Sequence, residues 1–304
     1  MKDARADAAT VPVPAATHGT LADYLSLTKP RLNLLVVATS AAGYYLGAPA
    51  TSAGLLGVPM LQAVAGTALV AAGAAVLNQV LERDTDTLMR RTRGRALPDG
   101  RIPPGDARLF GIILSAGGLT LLAALPHLVA ACLALLTLIL YLAVYTPLKR
   151  RTPLATLVGA VPGALPPLIG WTASHGQISL GGAALFAIVF LWQIPHFMAI
   201  AWMYRDDYAK AGFPMLPVVD PGGRRAGRQA VVYAAVLIPI SVVPVLTGIS
   251  GAVYLVTALG LGTVLLWLAI RFGATRTDRS ARRLFYASIT YLPVLLITMI
   301  ADRL

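Results

Sequence analysis

Charge is scarce in this chain, and the scarcity excludes most soluble classes. Of its 304 residues only 12% are Asp, Glu, Lys or Arg, against about 25% in an ordinary soluble domain. Hydrophobic residues make up 57% and the mean hydropathy is +0.72, which points to a polytopic membrane protein. Cysteine is nearly absent: Cys132 stands alone, which excludes an internal disulfide, and its apolar surroundings predict a small core-filling side chain. Carboxylates are also few, 13 against 25 basic residues, for a net charge of +12. The basic residues are punctuation between apolar runs, so nucleic acid is not an expected partner.

Five stretches contain no Asp, Glu, Lys or Arg at all: Leu32–Leu81, Leu109–Leu148, Thr152–Tyr204, Gln229–Ile270 and Leu284–Ala301. A bilayer crossing takes about 20 apolar residues. The first four stretches each hold two crossings and the fifth holds one, so the expected fold is all-α with nine transmembrane helices. Turns inside the long stretches fall near Ala48–Gly57, Pro126–His127, Ser174–Ile178 and Thr247–Gly251, where Gly, Pro, Ser and Thr gather without a basic residue. With these turns on one side, 24 of the 25 basic residues lie on the other, Arg303 being the exception. The positive-inside rule then predicts a cytoplasmic N-terminus and an external C-terminus, and since nothing resembles an organelle address the expected location is a bacterial plasma membrane. Residues 1–22 lack the apolar segment of a signal peptide and read as a disordered cytoplasmic tail, leaving residues 23–304 as one membrane domain.

What charge there is concentrates at the ends of apolar runs. Asn78, Glu82 and Asp86 recur every four residues. Each such step turns a helix by about 40° and rises ~6 Å, so the three share one face. Their oxygens suit Mg²⁺, which shares its shell with water and substrate phosphates. Asp84 points elsewhere on a regular helix but lies close enough to the helix end to contribute. Arg91 and Arg95, in the arginine-rich segment that follows, suit bidentate phosphate contact. A carboxylate stripe entering an apolar helix is costly and usually functional.

A second charged mouth follows Phe190–Trp202. It carries Arg205, Asp206, Asp207 and Lys210 before Gly212 and Pro214 break the helix. Lys149, in the basic cluster after Tyr145, is a further candidate for phosphate. His196 sits alone in the membrane span, where packing and ligand contact weigh about equally.

These segments resemble the UbiA superfamily of intramembrane prenyltransferases, and within it the branch that farnesylates haem. Asn78, Glu82 and Asp86 match the first superfamily motif, with Glu where Asp is usual, so either Glu82 or Asp84 is the metal ligand. Met89, Arg91, Thr92, Arg95 and Leu97 match the segment that follows. The second motif usually has two aspartates four apart; here the WQIPHF and YRDDYAKAGFP segments resemble the haem branch instead.

The resemblance implies a helical bundle around a lateral cavity open at the cytoplasmic side, in which the farnesyl group of farnesyl diphosphate passes to a vinyl group of haem B. It implies Mg²⁺ held by Asn78, Glu82, Asp84, Asp86, Asp206 and Asp207, with Asn78, Glu82, Asp86 and Asp207 catalytic. Diphosphate would meet Arg91, Arg95, Lys149, Arg205 and Lys210, and haem would meet Trp192, His196 and Trp202. A downstream haem A synthase or terminal oxidase assembly is the implied protein partner, and the lipid bilayer is the medium.

Two rivals remain. A prenyltransferase of a quinone precursor such as 4-hydroxybenzoate shares the diphosphate site. A transporter also places polar groups in the membrane, but it would place them near the midplane and be built from repeats. Here they gather at one face, and no repeat is visible.

Overall fold

The structure, a computed structural model, describes residues 19–49 and 57–304. Every element among the described residues is helical, apart from one isolated bridge between Ser250 and Arg303. In chain order they are α1 (Leu21–Leu27), α2 (Pro30–Gly47), α3 (Val58–Asp86), α4 (Pro104–Ala123), and α5 (Val129–Ile139), which continues through a π-helical turn (Leu140–Tyr145) into α6 (Thr146–Leu148). Then come α7 (Ala155–His175), α8 (Leu180–Met203), α9 (Arg205–Lys210), α10 (Leu216–Val219), α11 (Arg224–Ile240), α12 (Val243–Leu246), α13 (Ala252–Thr275) and α14 (Asp278–Ala301).

Seven of these helical stretches are long and apolar enough to cross a membrane: α3, α4, α5 through α6, α8, α11 through α12, α13 and α14. α2 and α7 fall outside that set. α2 begins among charged residues, and α7 carries Pro162, Pro166 and Pro167 in its interior, which dilutes its hydropathy. The expected turns at Pro126–His127, Ser174–Ile178 and Thr247–Gly251 all fall between or at the ends of helices. The turn expected near Ala48–Gly57 lies largely outside the described residues, as does most of the expected tail.

The tail boundary itself needs correction. Helix begins at Leu21, because Thr20 caps it by a reciprocal capping box with Asp23. α1 is then fixed to the bundle by fully buried Leu27, by the edge-on packing of Tyr24 and Phe110, and by an ion pair between Asp23 and Arg101. Cys132 is exposed on α5 rather than filling the core.

α8 runs through the middle of the bundle, packed against α7, α11 and α14. Between Ala184 and Met203 none of its residues is exposed. α2 and α7 pack closely over their uncharged halves. A Cβ on Gly170 would lie 1.8 Å from the Ser40 carbonyl oxygen, and one on Gly43 would lie 2.0 Å from that of Pro167. The other half of α2, from Pro30 to Ala38, has no buried residue.

The two charges at the uncharged end of the bundle act as helix-end partners. Asp302 accepts from the Tyr254 amide near the start of α13, while Arg303 donates to the carbonyls of Tyr45 and Ala48 at the end of α2. Both match the helix dipoles, an anion at an N-terminus and a cation at a C-terminus.

Candidate active site

α3 has 29 residues. At 1.5 Å per residue it is ~43 Å long, more than the ~30 Å hydrocarbon core of a bilayer. Its last turns are where the polar stripe emerges. Asn78, Glu82 and Asp86 are all buried, the two carboxylates to 4% and 1% exposure. Buried carboxylates need partners, and each has a cation. Lys149 donates to both Glu82 oxygens at 3.1 and 3.2 Å, and Arg95 donates to Asp86 Oδ2 at 2.8 Å. Asp84 instead faces outward and pairs with Arg83 at 3.0 Å, its side chain 84% exposed. The helical period thus separates Asp84 from the stripe, leaving Glu82 in it.

The orientation of the Asn78 amide follows from its neighbour. Thr146 donates its only hydroxyl proton to the Tyr141 carbonyl at 2.8 Å, so it accepts from Asn78 Nδ2 at 3.0 Å. Asn78 Oδ1 is left as an acceptor with no hydrogen bond among the described residues. The π-helical turn sets up this contact, since its extra residue shifts the phase of the helix. Within it Tyr141 and Tyr145 stack at 5.4 Å.

Sequence reasoning missed Lys29. It occupies the N-cap of α2 in the left-handed region, φ 49°, a conformation that disfavours residues with a Cβ. The turn is held by Gln79, which donates to the Leu27 carbonyl at 2.6 Å, and by Asn33, which donates to that of Thr28 at 2.6 Å. Burial pushes the Lys29 ammonium down to about 8; Arg95 and Lys149 push the same way, while Glu82 and Asp86 oppose them. The rim therefore gathers Lys29, Arg95 and Lys149 around two carboxylates, which leaves it net positive and suited to a polyanion. A lysine followed by proline at a helix start was the only available signal.

The two charged mouths meet. Arg91 from the first lies over the rings of Tyr204 and Tyr208 from the second, at 4.9 and 5.9 Å. Lys149 Nζ lies 4.5 Å from the centre of the Phe213 ring. Met89 packs in one apolar cluster with Tyr208, Ala211, Phe213 and Met215. Asp207 is half-buried and Asp206 exposed, and neither carboxylate has an ion-pair or hydrogen-bond partner among the described residues. Lys210 is exposed.

Two expected residues are placed elsewhere. Arg205 is not turned toward the first mouth: it pairs with Asp278 and donates to the Trp202 carbonyl, both at 2.8 Å, joining α9 to α14. Trp202 packs edge-on against Phe272 and under Gly223, where a Cβ would come within 2.3 Å of the indole. Its role here is to seat α8 against α13, apart from His196. Trp192 and His196 do lie together, with ring centres 5.3 Å apart.

Among the described residues, no three His, Cys, Asp or Glu side chains converge as a ready-made metal cluster. The donors present nonetheless suit Mg²⁺. Asn78 Oδ1 is free, Glu82 and Asp86 share its helix face, and hard oxygens leave other coordination positions to water and phosphate.

Comparison with known proteins gives a consistent picture. A model of the UbiA prenyltransferase family matches residues 36–292. The protoheme IX farnesyltransferase of Solibacter usitatus is 46% identical over 287 residues, covering 92% of this chain and 98% of the relative. That of Salinibacter ruber is 47% identical over 280 residues, again covering 92% and 98%. The structure of a UbiA homologue from Archaeoglobus fulgidus bound to GPP and Mg2+ shares the fold, with a TM-score of 0.65 at 19% identity, over 92% of this chain and 99% of that one.

Proposed function

The chain belongs to the UbiA prenyltransferase family, and from that premise we propose that it transfers the farnesyl group of farnesyl diphosphate to a vinyl group of haem B, giving haem O and diphosphate. The observation that carries the reading is the meeting of two charged rims, Arg91 over Tyr204 and Tyr208 and Lys149 against Phe213. The names of relatives identical at 46% and 47% over nearly their whole length supply the haem substrate.

The bond from the first farnesyl carbon to diphosphate oxygen breaks, and the leaving diphosphate takes the electron pair. Lys29, Arg91, Arg95 and Lys149 stabilise its charge as cations already gathered at the rim. Lys210 extends this positive edge, while Arg205 acts through its α14 contact. Asn78, Glu82, Asp86 and Asp207 would hold Mg²⁺, with water and the diphosphate itself completing the shell, and the ion would neutralise part of the diphosphate charge. Displacing Lys149 and Arg95 from their carboxylates would release both cations toward that diphosphate. The allylic cation is attacked by the vinyl π bond, forming a carbon–carbon bond. Water adds to the resulting cation and loses a proton, leaving a hydroxyethylfarnesyl side chain. Apolar walls keep other water away until then.

With α2 and α7 included, at ~27 and ~32 Å, the described residues supply nine crossings. The unburied half of α2 borders the lateral cavity, which opens at the cytoplasmic side of the plasma membrane; the N-terminus lies inside and the C-terminus outside. The product passes to a haem-modifying enzyme or oxidase assembly.

Membranes carrying the protein, incubated with haem B, farnesyl diphosphate and Mg²⁺, should yield a haem heavier by one farnesyl group and one hydroxyl group. Unchanged haem beside a prenylated 4-hydroxybenzoate would overturn the haem assignment. Asp86→Ala should abolish turnover while the protein still inserts, and near-normal product would refute its role.

A further inference from the structure

Ser288 of α14 is fully buried against α8 and touches two of its aromatic residues at once. Its backbone carbonyl accepts from Trp192 Nε1 at 2.7 Å, and its hydroxyl lies 2.8 Å from His196 Nδ1. The same hydroxyl lies 2.7 Å from the Phe285 carbonyl oxygen. Two oxygens that close need a hydrogen between them, and the carbonyl has none to give. The single hydroxyl proton of Ser288 therefore points at Phe285, and the serine can only accept from the imidazole. That places the ring proton on Nδ1 and a lone pair on Nε2.

Nε2 makes no hydrogen bond among the described residues. The ring is clamped as well as oriented: Trp192 and Phe285 lie against it nearly parallel, centres 5.3 and 5.1 Å away, and Phe197 leans on it at 5.8 Å. Such packing leaves the ring edge as the open surface. His196 is half-buried on a helix with no exposed residue from Ala184 to Met203. It stands seven residues before the end of α8, about 10 Å above the second charged mouth.

We infer that Nε2 of His196 ligates the iron of the haem substrate, and that Ser288 is the positioning residue that fixes the tautomer able to do so. This rests on the haem reading above. A ligating imidazole is commonly held through its other nitrogen, which sets ring orientation and raises basicity. One axial bond would fix the porphyrin plane and hence which vinyl group faces the farnesyl chain. Ser288 also holds Trp192, so the ligand and its neighbouring wall are set by one residue.

The test is spectroscopic and needs no turnover. Purified protein in detergent is titrated with haem B without farnesyl diphosphate, and the iron–histidine stretch of the ferrous complex is read by resonance Raman. The wild type should show this band, His196→Gly should lose it, and added imidazole should restore it. Ser288→Ala should shift the band to lower frequency and weaken haem binding by about tenfold or more, while Ser288→Thr restores both. A wild-type protein that farnesylates haem yet keeps its spectrum in His196→Gly overturns the ligation and leaves the function standing. So does a His196→Gly protein that keeps the band but loses a limb of its pH–rate profile, which would make His196 a base toward water. Failure of the wild type to bind haem at all overturns the functional reading instead.

Discussion

Glu82 and Asp86 show how one residue's role depends on which cation it meets. Glu82 holds Lys149 and Asp86 holds Arg95, and both carboxylates are nearly without solvent, so removing one partner leaves a buried charge uncompensated. Lys149→Met should therefore lower protein yield as well as activity, whereas Lys149→Met combined with Glu82→Gln should recover folding without activity. Thermal unfolding in detergent beside the farnesylation assay separates the two effects. Lys29 gives a pH signature. Folding lowers its pKa to about 8 from 10.5, so the folded state resists the proton, and the ammonium that meets diphosphate is lost as pH rises through about 8. The KM for farnesyl diphosphate should climb over that range. Lys29→Arg, charged throughout, should remove the climb, and a KM equally steep in that variant would dissociate Lys29 from the substrate.

The stripe of Asn78, Glu82 and Asp86 was legible because a period of four is a property of one helix. Lys29, Thr146 and Ser288 were not. Thr146 lies 68 residues from the amide it orients, and Ser288 lies 92 residues from its histidine. No local pattern encodes such pairs.

Elements carry their own constraints. The π-helical turn brings Thr146 and Lys149 to the face of α3 that bears the stripe. Thr146→Val keeps the shape but leaves Asn78 Nδ2 without its acceptor, at about 1–3 kcal/mol; the amide is then free to turn, and activity should fall further than stability. Equal losses would reduce Thr146 to a packing role. The α2–α7 contact behaves differently. Gly170→Ala places a methyl group against the Ser40 carbonyl, where backbone must shift, at about 1–3 kcal/mol. A clearly lower Tm is expected; an unchanged Tm would show that the two helices part easily. Sequence did not mark their contact, because small residues are common in membrane helices whether or not they face a partner.

For the whole molecule, the distribution of charge decides the architecture. Asp302 and Arg303 are the two charges that stand apart, and each satisfies a helix end, one anchoring α13 and the other α2. Removing the last three residues should loosen that end, lowering Tm while leaving the charged site, across the bundle, with near-normal KM. A KM raised several-fold would mean that the two ends are coupled.

By itself the sequence determined that the chain is helical, membrane-spanning and divided into a charged and an uncharged end. It also determined that one helix carries a stripe of oxygen-bearing side chains. These follow from periodicity and from the cost of charge in hydrocarbon, both of which act along the chain. Only the tertiary structure decided that Lys149 and Arg95 meet Glu82 and Asp86, that Arg205 pairs with Asp278 and that Trp202 packs on Phe272. It alone brought Lys29 to the charged rim and Ser288 to His196 and Trp192. Those outcomes depend on which surfaces meet once distant helices pack, and hydrogen-bond donors find acceptors across that packing without leaving a trace in the local order of residues.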